Sequence, residues 1–301
     1  MSGVHGAVDV AKIYSGLQME ICRILEQTDG KAVFEVDQWE KEIGYGSTCV
    51  IRNGDAIEKG GVNFSFVQGE FTPQMELLLG EKANSYAATG ISSIMHPVNP
   101  HVPIIHMNVR CFSLDNGTHW LGGGIDLSPH YIDVAEARNF HRQLKAICDK
   151  YNPGFYPKFK LWADDYFFIP HRNETRGVGG IFFDRLKPDE TISFEKLFSF
   201  TKDLARAYPE IYSERINEKR AKDFSESQRI WQELRRGRYA EFNLVYDRGT
   251  KFGFESNGNA ESILISLPPT AAWEYKYQVE ADSAEDQTLK LLRKDIDWIN
   301  Q

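Results

Sequence analysis

The hydrophobic pattern of the first thirty residues has the period of a helix. Apolar residues recur at steps of three and four, at Ile13, Leu17, Ile21, Ile24 and Leu25. Side chains with this spacing lie on one face of a helix. The pattern predicts a helix from about Val8 to Gln27, and Gly30 is placed to end it.

The runs that follow have the length and composition of strands. They cover Phe34–Trp39, Cys49–Ile57 and Val62–Val67, and glycine-rich turns separate them. Asn53-Gly54 is a strong hairpin signal, because both residue types tolerate positive φ. Strands joined by such short turns pair in antiparallel fashion.

Polar and apolar residues alternate along Ile104–Leu114, after three prolines that predict an ordered loop at Met95–Val102. Period two places His106, Asn108 and Arg110 on one face of a strand and an apolar row on the other. A polar row either meets solvent or lines a site for a large ligand with polar edges. Solvent-facing strands usually carry Lys, Glu and Thr, so this row favours a site.

Two further segments carry candidate chemistry. The run HWLGGGIDLSP, His119–Pro129, predicts either a merely flexible turn or a glycine turn that brings the backbone close to a ligand and aims Asp126 at it. Strands predicted at Trp162–Ile169 and Gly180–Asp184 flank a polar hinge, residues 170–177. The hinge contains His171, Arg172, Glu174 and Arg176. Charges at a strand end form either a structural ion-pair network or a site for an anion.

The rest of the chain is mainly helical in pattern. Helices are predicted over Asp133–Tyr151, over Phe194–Leu204 with an end at Pro209, after a Ser225–Gln228 capping box, and over Asp286–Ile299. His141 falls on the apolar stripe of the first of these helices, which indicates a core histidine. Strands are predicted at Glu241–Asp247 and Ser262–Leu267. The fold class is therefore α/β (α+β), one domain over residues 1–301 with a large, mostly antiparallel central sheet covered by helices on both faces.

Composition and charge limit the partners. The chain is 42% hydrophobic with a net charge of −8, and that acidity argues against a nucleic-acid partner. No apolar run has the length of a membrane span, and the N-terminus lacks a secretory or transit pattern, so we expect a cytoplasmic protein. The cysteines Cys22, Cys49, Cys111 and Cys148 contain no C-x-x-C pair and are predicted to be core residues.

Four segments together resemble one enzyme family. From Lys160 to Asp184 the chain matches K-x-W-x-D…H-R-x-E-x-R-G-x-G-G-[small apolar]-F-F-D, which is similar to the oxygen-dependent coproporphyrinogen III oxidases. Three more segments also match the family. Their motifs are S-x-x-x-H-P-x-N-P…H-M-N-x-R, W-x-G-G-G-x-D-L-[ST]-P and [FY]-N-L-V-x-D-R-G-T-x-F-G…E-S-I-L-x-S-[LM]-P-P. Two positions depart from it: Ala163 stands where the family usually has cysteine, and an arginine is usual near Asn259.

The resemblance implies a reaction and a site. Two propionates of coproporphyrinogen III would be oxidatively decarboxylated to vinyl groups, giving protoporphyrinogen IX, with molecular oxygen as acceptor. His106 would donate or shuttle protons, and Asp126 would bind the pyrrole nitrogens and act as the base. Substrate binding would fall to Ser92, Asn108, Val109, Arg110, Asn257, Gly258, Asn259, His171, Arg172 and Arg176.

The resemblance also implies a homodimer, with contacts in Val50–Lys59 and Tyr239–Pro269. We expect no required cofactor. In bacterial relatives His96, His106, His141 and His171 are attributed to a divalent metal, but no pair of them here has compact ligand spacing, so a metal is not favoured. A metal-dependent hydrolase built on these histidines and a non-catalytic tetrapyrrole carrier stay open as alternatives.

Overall fold

One antiparallel sheet organises the part of the chain that the computed structural model describes, residues 3–255 and 259–301. Its seven strands lie in the order β1-β2-β3-β4-β5-β6-β9. Their bounds are β1 Glu35–Lys41, β2 Gly44–Arg52, β3 Ile57–Glu70, β4 Ser85–Pro97, β5 Ile104–Leu114, β6 His119–Ser128 and β9 Gly179–Leu186. Two short strands, β7 Phe168–Ile169 and β8 Glu174–Thr175, form a separate pair. The first six strands of the large sheet follow one another in both sequence and space and form a meander. Strand β9 is added at the edge beside β6.

Helices pack on both faces of this sheet. They are α1 Gly3–Asp29, α2 Pro73–Leu79, α3 Val134–Asp149, α4 Phe155–Tyr166, α5 Phe194–Lys219, α6 Glu226–Val245, α7 Arg248–Glu255, α8 Ala260–Leu264 and α9 Ala284–Leu291. Helices α1 and α5 cover one face, where the main hydrophobic core lies. On the opposite face, Tyr239 of α6 packs against Ile94 and Ile104. Beside them, Ser262 of α8 bonds Thr48 and Asn63. The predicted fold class is confirmed, and the single domain over residues 1–301 stays a prediction.

Several local predictions are confirmed. Strand β5 has the predicted bounds, and the first helix extends a little beyond its predicted range. The Asn53-Gly54 turn joins β2 to β3, with Asn53 at a φ of 57°. Ser225 forms the predicted capping box with Gln228 at the start of α6.

The bounds of three predicted segments near the sheet are wrong. The run Cys49–Ile57 is not one strand, because it contains the β2–β3 turn. The predicted loop Met95–Val102 begins inside β4, which ends at Pro97. The glycine-rich run His119–Pro129 is not a turn. It is strand β6, in which the glycines allow close contact with the neighbouring strands.

Three predicted strands are helical. Trp162–Ile169 lies mostly in α4, and Glu241–Asp247 is mainly the end of α6. Ser262–Leu267 forms α8 and the turn after it. A short apolar run fits a strand and a buried helix equally well, and here tertiary packing decides. In α6 the buried stripe that began at Trp231 continues to Phe242, so the helix continues with it.

The ends of two helices also differ from prediction. Helix α5 continues through Pro209 to Lys219. Proline removes one hydrogen bond, but buried side chains on either side of it, such as Tyr208 and Tyr212, hold the helix against its neighbours. Helix α9 ends at Leu291 instead of Ile299. Among the described helices, none is both long and apolar enough to cross a bilayer.

The buried carboxylate of Asp29 joins the end of α1 to the β2–β3 hairpin. Its two oxygens accept backbone N–H groups of Ala32, Asp55, Ala56 and Ile57 at 2.8–3.2 Å. Burial alone would raise the pKa of Asp29, but these hydrogen bonds lower it. The ionised carboxylate therefore holds two segments that the sequence separates by more than twenty residues.

We predict that Asp29→Ala lowers the free energy of unfolding by about 3 kcal/mol or more, because several buried N–H groups lose their acceptor. The folded-state pKa of Asp29 is lowered, so its contribution is present above the ordinary aspartate pKa of about 3.9 and is lost as the pH falls. Urea unfolding at several pH values measures this. Asp9→Ala, on the exposed side of the same helix, is the control and should be nearly neutral.

Candidate functional site

The candidate site lies on the sheet face opposite α1 and α5, where polar residues of adjacent strands are in register. Asn63 of β3 pairs with Ser92 of β4, Ser92 with Asn108 of β5, and Asn108 with Gly124 of β6. Directly paired residues of antiparallel strands project from the same face. Phe182 of β9 completes this row. His106 and Arg110 flank Asn108 on the same face, as the alternation in the sequence predicts.

Glycines keep the floor of this face low. A Cβ atom on Gly124 would lie 2.5 Å from the Ile181 carbonyl oxygen, and one on Gly122 would lie 2.7 Å from Nε of Arg110. Both approaches are too close for a side chain. At Gly122 and Gly124 the strand β6 therefore presents backbone to this face, and the Arg110 and Asp184 side chains lie directly over Gly122.

A three-residue ionic cluster lies at one end of the face. His106 and Asp126 are directly paired across β5 and β6, with Nδ1 of His106 2.9 Å from Oδ1 of Asp126. Nη2 of Arg176 donates to both Asp126 oxygens, at 2.7 and 2.8 Å. The side chains of Asp126 and Arg176 are each only 2% exposed, whereas His106 is partly open to the face.

The electrostatics of the cluster keep Asp126 ionised. Burial would raise the pKa of Asp126, but the Arg176 charge and the His106 hydrogen bond lower it below its ordinary value. Burial would likewise lower the pKa of Arg176, and the Asp126 charge raises it instead. The pair is therefore a buried carboxylate–guanidinium bridge, and His106 is the member of the cluster that faces the open side.

Arg110 forms a second, more exposed ion pair. Its Nη2 lies 2.8 Å from Oδ1 of Asp184, and the two side chains are 41% and 30% exposed. Nη1 of Arg110 also donates to Asn108 at 3.3 Å. A guanidinium in this position can exchange an aspartate for a ligand carboxylate, because both present the same pair of oxygens.

The remaining predicted binding residues are distributed differently. Ser92 lies in the polar row, but the side chain of Val109 belongs to the core on the other face, so only its backbone borders the site. Asn259 caps α8 by accepting the N–H of Glu261 at 3.0 Å. Asn257 and Gly258 lie outside the described residues.

His171 and Arg172 belong to a network around Glu241. Arg172 donates twice to this carboxylate, at 2.6 and 2.8 Å, and Nε2 of His171 lies 2.7 Å from it. Burial would raise the pKa of Glu241, but these neighbours lower it to about 2. Both predicted binding residues are thus paired with a protein carboxylate, which fits the structural alternative for the polar hinge.

The four histidines proposed as metal ligands do not converge. His96 is buried, with Nε2 3.0 Å from the Ser266 carbonyl oxygen. His141 is buried in the core, where its nitrogens contact the hydroxyl of Tyr156 and the carbonyl oxygen of Val178. No group of three His, Cys, Asp or Glu residues arranged to hold a metal occurs within residues 3–255 and 259–301.

Several site residues were not predicted from the sequence. Asp184, the partner of Arg110, is the last residue of the glycine-rich motif that ends FFD. Asn63 belongs to a strand that was predicted, but only the cross-strand register shows that it joins the polar row. Phe182 stacks on Tyr166 with ring centroids 4.1 Å apart and forms an aromatic wall beside Gly124. That stacking brings together α4 and β9, which no local pattern reveals.

Comparison with known proteins decides the family. A profile of the family described as Coproporphyrinogen III oxidase matches residues 9–298. The chain belongs to the coproporphyrinogen III oxidase family. This confirms the family recognised from the four sequence motifs.

Named relatives are similar over nearly the whole chain. A human protein named oxygen-dependent coproporphyrinogen-III oxidase, mitochondrial, is 44% identical over 297 residues, which are 94% of this chain and 65% of the human protein. The rat protein of the same name is 45% identical and is covered to 67%. A Drosophila melanogaster protein named oxygen-dependent coproporphyrinogen-III oxidase is 43% identical, with 76% of its length covered. The chain thus spans about two thirds of the length of the mammalian relatives.

The two ion pairs of the site should differ in their effect on stability. We predict that Asp126→Asn lowers the free energy of unfolding by about 3–5 kcal/mol, because it leaves the Arg176 charge buried without its partner. Asp184→Asn, the matched control, removes the partner of an exposed arginine and should cost about 0–1 kcal/mol. Urea unfolding of both variants measures the difference. Equal losses would contradict the distinction between a buried and an exposed pair.

Proposed function

We propose that this chain catalyses the oxygen-dependent oxidative decarboxylation of two propionates of coproporphyrinogen III, giving protoporphyrinogen IX. The observation that carries the proposal is the placement of Arg110, Asn108 and the His106–Asp126 pair on one glycine-floored face, in a chain of this family. The face combines a carboxylate-binding group and a proton-transfer group above a flat floor. Those are the needs of a broad tetrapyrrole with carboxylate side chains.

The reaction balances without an electron carrier. Each propionate that becomes a vinyl group releases one carbon dioxide, one proton and two electrons. Two conversions release four electrons and two protons, which reduce one dioxygen to two waters together with two further protons from the solvent. The porphyrinogen supplies the electrons, and we propose that the enzyme requires no metal or organic cofactor. The protein must then bind carboxylates, move protons and shield the reacting carbon from water.

We propose that a substrate propionate replaces Asp184 as the carboxylate bound by Arg110. The sequence predicts Asp126 as the base, but its oxygens already accept hydrogen bonds from His106 and Arg176. We propose instead that Nε2 of His106 exchanges protons with the substrate, while Asp126 holds the ring through Nδ1. His106 then takes up the pyrrole proton or returns one without moving from the face.

A single-turnover experiment tests the function. Chelator-treated enzyme is mixed with coproporphyrinogen III without oxygen, and oxygen is then admitted. We expect carbon dioxide and vinyl-bearing product only after oxygen is added. Binding without product would favour the tetrapyrrole carrier. Activity that returns only after one metal is added would contradict the cofactor proposal.

Arg110→Ala should weaken substrate binding more than turnover. The variant loses a charge-assisted contact worth roughly 1.5–3 kcal/mol, or about 10- to 150-fold in kcat/KM. We expect the loss mainly in KM, since the contact exists before and during the reaction. Arg206→Ala, which removes an exposed arginine paired with Glu20 on α1, is the control. Steady-state kinetics measure the effect. An unchanged KM for Arg110→Ala would show that Arg110 does not bind the substrate.

We also propose that the chain forms a homodimer through Val50–Lys59 and Tyr239–Pro269. Exposed strand edges do not supply this contact, because β1 covers β2 and Leu244 lies in a helix. Support comes from the exposed apolar side chains of Leu244 and Val245 at the end of α6. Such residues favour a contact with another surface.

Leu244→Asp should therefore give monomers or insoluble protein, because a buried unpaired charge opposes association. Ile230→Asp is the control: Ile230 is 45% exposed on the same helix, against 49% for Leu244, and lies outside the proposed contact. Light scattering measures the mass of both variants. A Leu244→Asp variant that stays a stable dimer would contradict this interface. The cytoplasmic location stays a prediction, to be checked by cell fractionation.

A further inference from the structure

We propose that Arg176 is a positioning residue for the proton-transfer histidine: it holds the Asp126 carboxylate so that Asp126 fixes the orientation and tautomer of His106. The inference rests on the proposed function, because it assigns Arg176 to the mechanism without a contact to the substrate. Sequence motifs grouped Arg176 with Arg172 as a carboxylate binder for the ligand. The structure places their guanidinium groups in two different environments.

The guanidinium of Arg176 donates its hydrogen bonds to other groups of the protein. Nη2 donates to both oxygens of Asp126, and Nε donates to Oδ2 of Asp126 at 3.2 Å. Nη1 donates to Oδ1 of Asn243 on α6 at 3.0 Å. Each guanidinium nitrogen therefore has a protein acceptor, and the side chain is only 2% exposed, so the group is shielded from a ligand.

Aromatic rings enclose the same group. The guanidinium carbon lies 4.5 Å from the ring centroid of Phe167 and 4.6 Å from those of Tyr239 and Phe242. The backbone N–H of Arg176 also donates to the Phe167 carbonyl oxygen at 2.9 Å. Cation–π contacts on several sides and a fixed backbone leave the guanidinium one position. The enclosed guanidinium is not placed to move towards a ligand, and it is suited to hold Asp126 permanently.

The support is transmitted to His106 through one oxygen atom. Oδ1 of Asp126 accepts from Nη2 of Arg176 and lies 2.9 Å from Nδ1 of His106. An ionised carboxylate is only an acceptor, so Nδ1 of His106 must carry the hydrogen. In the neutral ring the other nitrogen, Nε2, is then the acceptor that meets the substrate. If Asp126 took up a proton or rotated, this tautomer would no longer be specified.

A lysine in place of Arg176 tests the geometry while keeping the charge. Its ammonium is a point charge and cannot span both carboxylate oxygens as the planar fork does. The matched control is Arg235→Lys. Arg235 is also buried, pairs with Glu174 at 3.0 Å and lies over the Trp231 ring, and within the described part of the chain it bonds neither His106 nor Asp126. Both variants replace a buried, carboxylate-paired arginine.

We expect Arg176→Lys to lower kcat about 10²-fold with little change in KM, because misplacing a reacting group by about 1 Å costs that much. Arg235→Lys should keep kcat near that of the wild type even if both variants lose similar thermal stability. A wild-type kcat in Arg176→Lys, or equal kcat losses in both variants, would overturn the positioning role. A purely structural role of Arg176 would lower the stability of both variants and leave the kcat of both unchanged.

Nitrogen NMR of His106 gives a readout that does not depend on turnover. With labelled histidine, and His106→Gln to assign the signal, the folded wild type at alkaline pH should show a protonated Nδ1 and an unprotonated Nε2. Arg176→Lys should show a mixture of tautomers, and Arg235→Lys should resemble the wild type. An unchanged tautomer in Arg176→Lys would overturn the inference. An inactive wild type that still shows the expected tautomer pattern would refute the proposed function and leave the positioning of His106 intact.

Discussion

The buried bridge between Asp126 and Arg176 is the interaction on which the site depends. Moving two charges out of water costs several kcal/mol per ion, and their attraction repays this only when geometry and hydrogen bonding are good. Here each oxygen and each guanidinium nitrogen has a partner, and aromatic rings surround the cation. The bridge joins β6 to the segment before β9 and to α6. It therefore fixes the sheet and the helical layer relative to one another at the place where chemistry is proposed.

The sheet itself imposes the second constraint. Because successive strands are neighbours, residues of β4, β5 and β6 meet in register without any long connection. Glycines on β6 allow the backbone to form the floor, while side chains of β5 and β9 form the walls. This division explains why the polar groups of the site come from only a few strands. In β6, contact distance limits the residues at Gly122 and Gly124, whereas Asp126 contributes a charged group.

The sequence predicted well those features that depend on local periodicity. The alternation of β5 showed that His106, Asn108 and Arg110 share a face, because the two-residue period of a strand needs no knowledge of its neighbours. The start of α6 followed from its capping box for the same reason. In contrast, the end of α6 near Leu244 was misjudged, because an apolar run of a few residues does not reveal which element its neighbours will stabilise.

Features that depend on distant contacts were missed or misplaced. Arg176 and Asp126 are fifty positions apart, and nothing near either residue shows that one neutralises the other. The family motifs brought both to attention but grouped Arg176 with the ligand-binding arginines. The pairing of Arg110 with Asp184 was hidden in the same way. The local pattern thus identified the polar strand β5, and only the fold showed how the charges of the candidate site are paired.

The meander with one late strand also orders the assembly of the protein in time. Hairpins between adjacent strands form in microseconds, so β1 to β6 can associate one after another as local units. We expect β9 to join β6 after these hairpins, because the pairing closes a long loop that contains two helices and loop closure costs entropy. Arg176 arrives with that strand. We therefore expect Asp126 to gain its cation only when β9 joins the sheet, at one of the last folding steps.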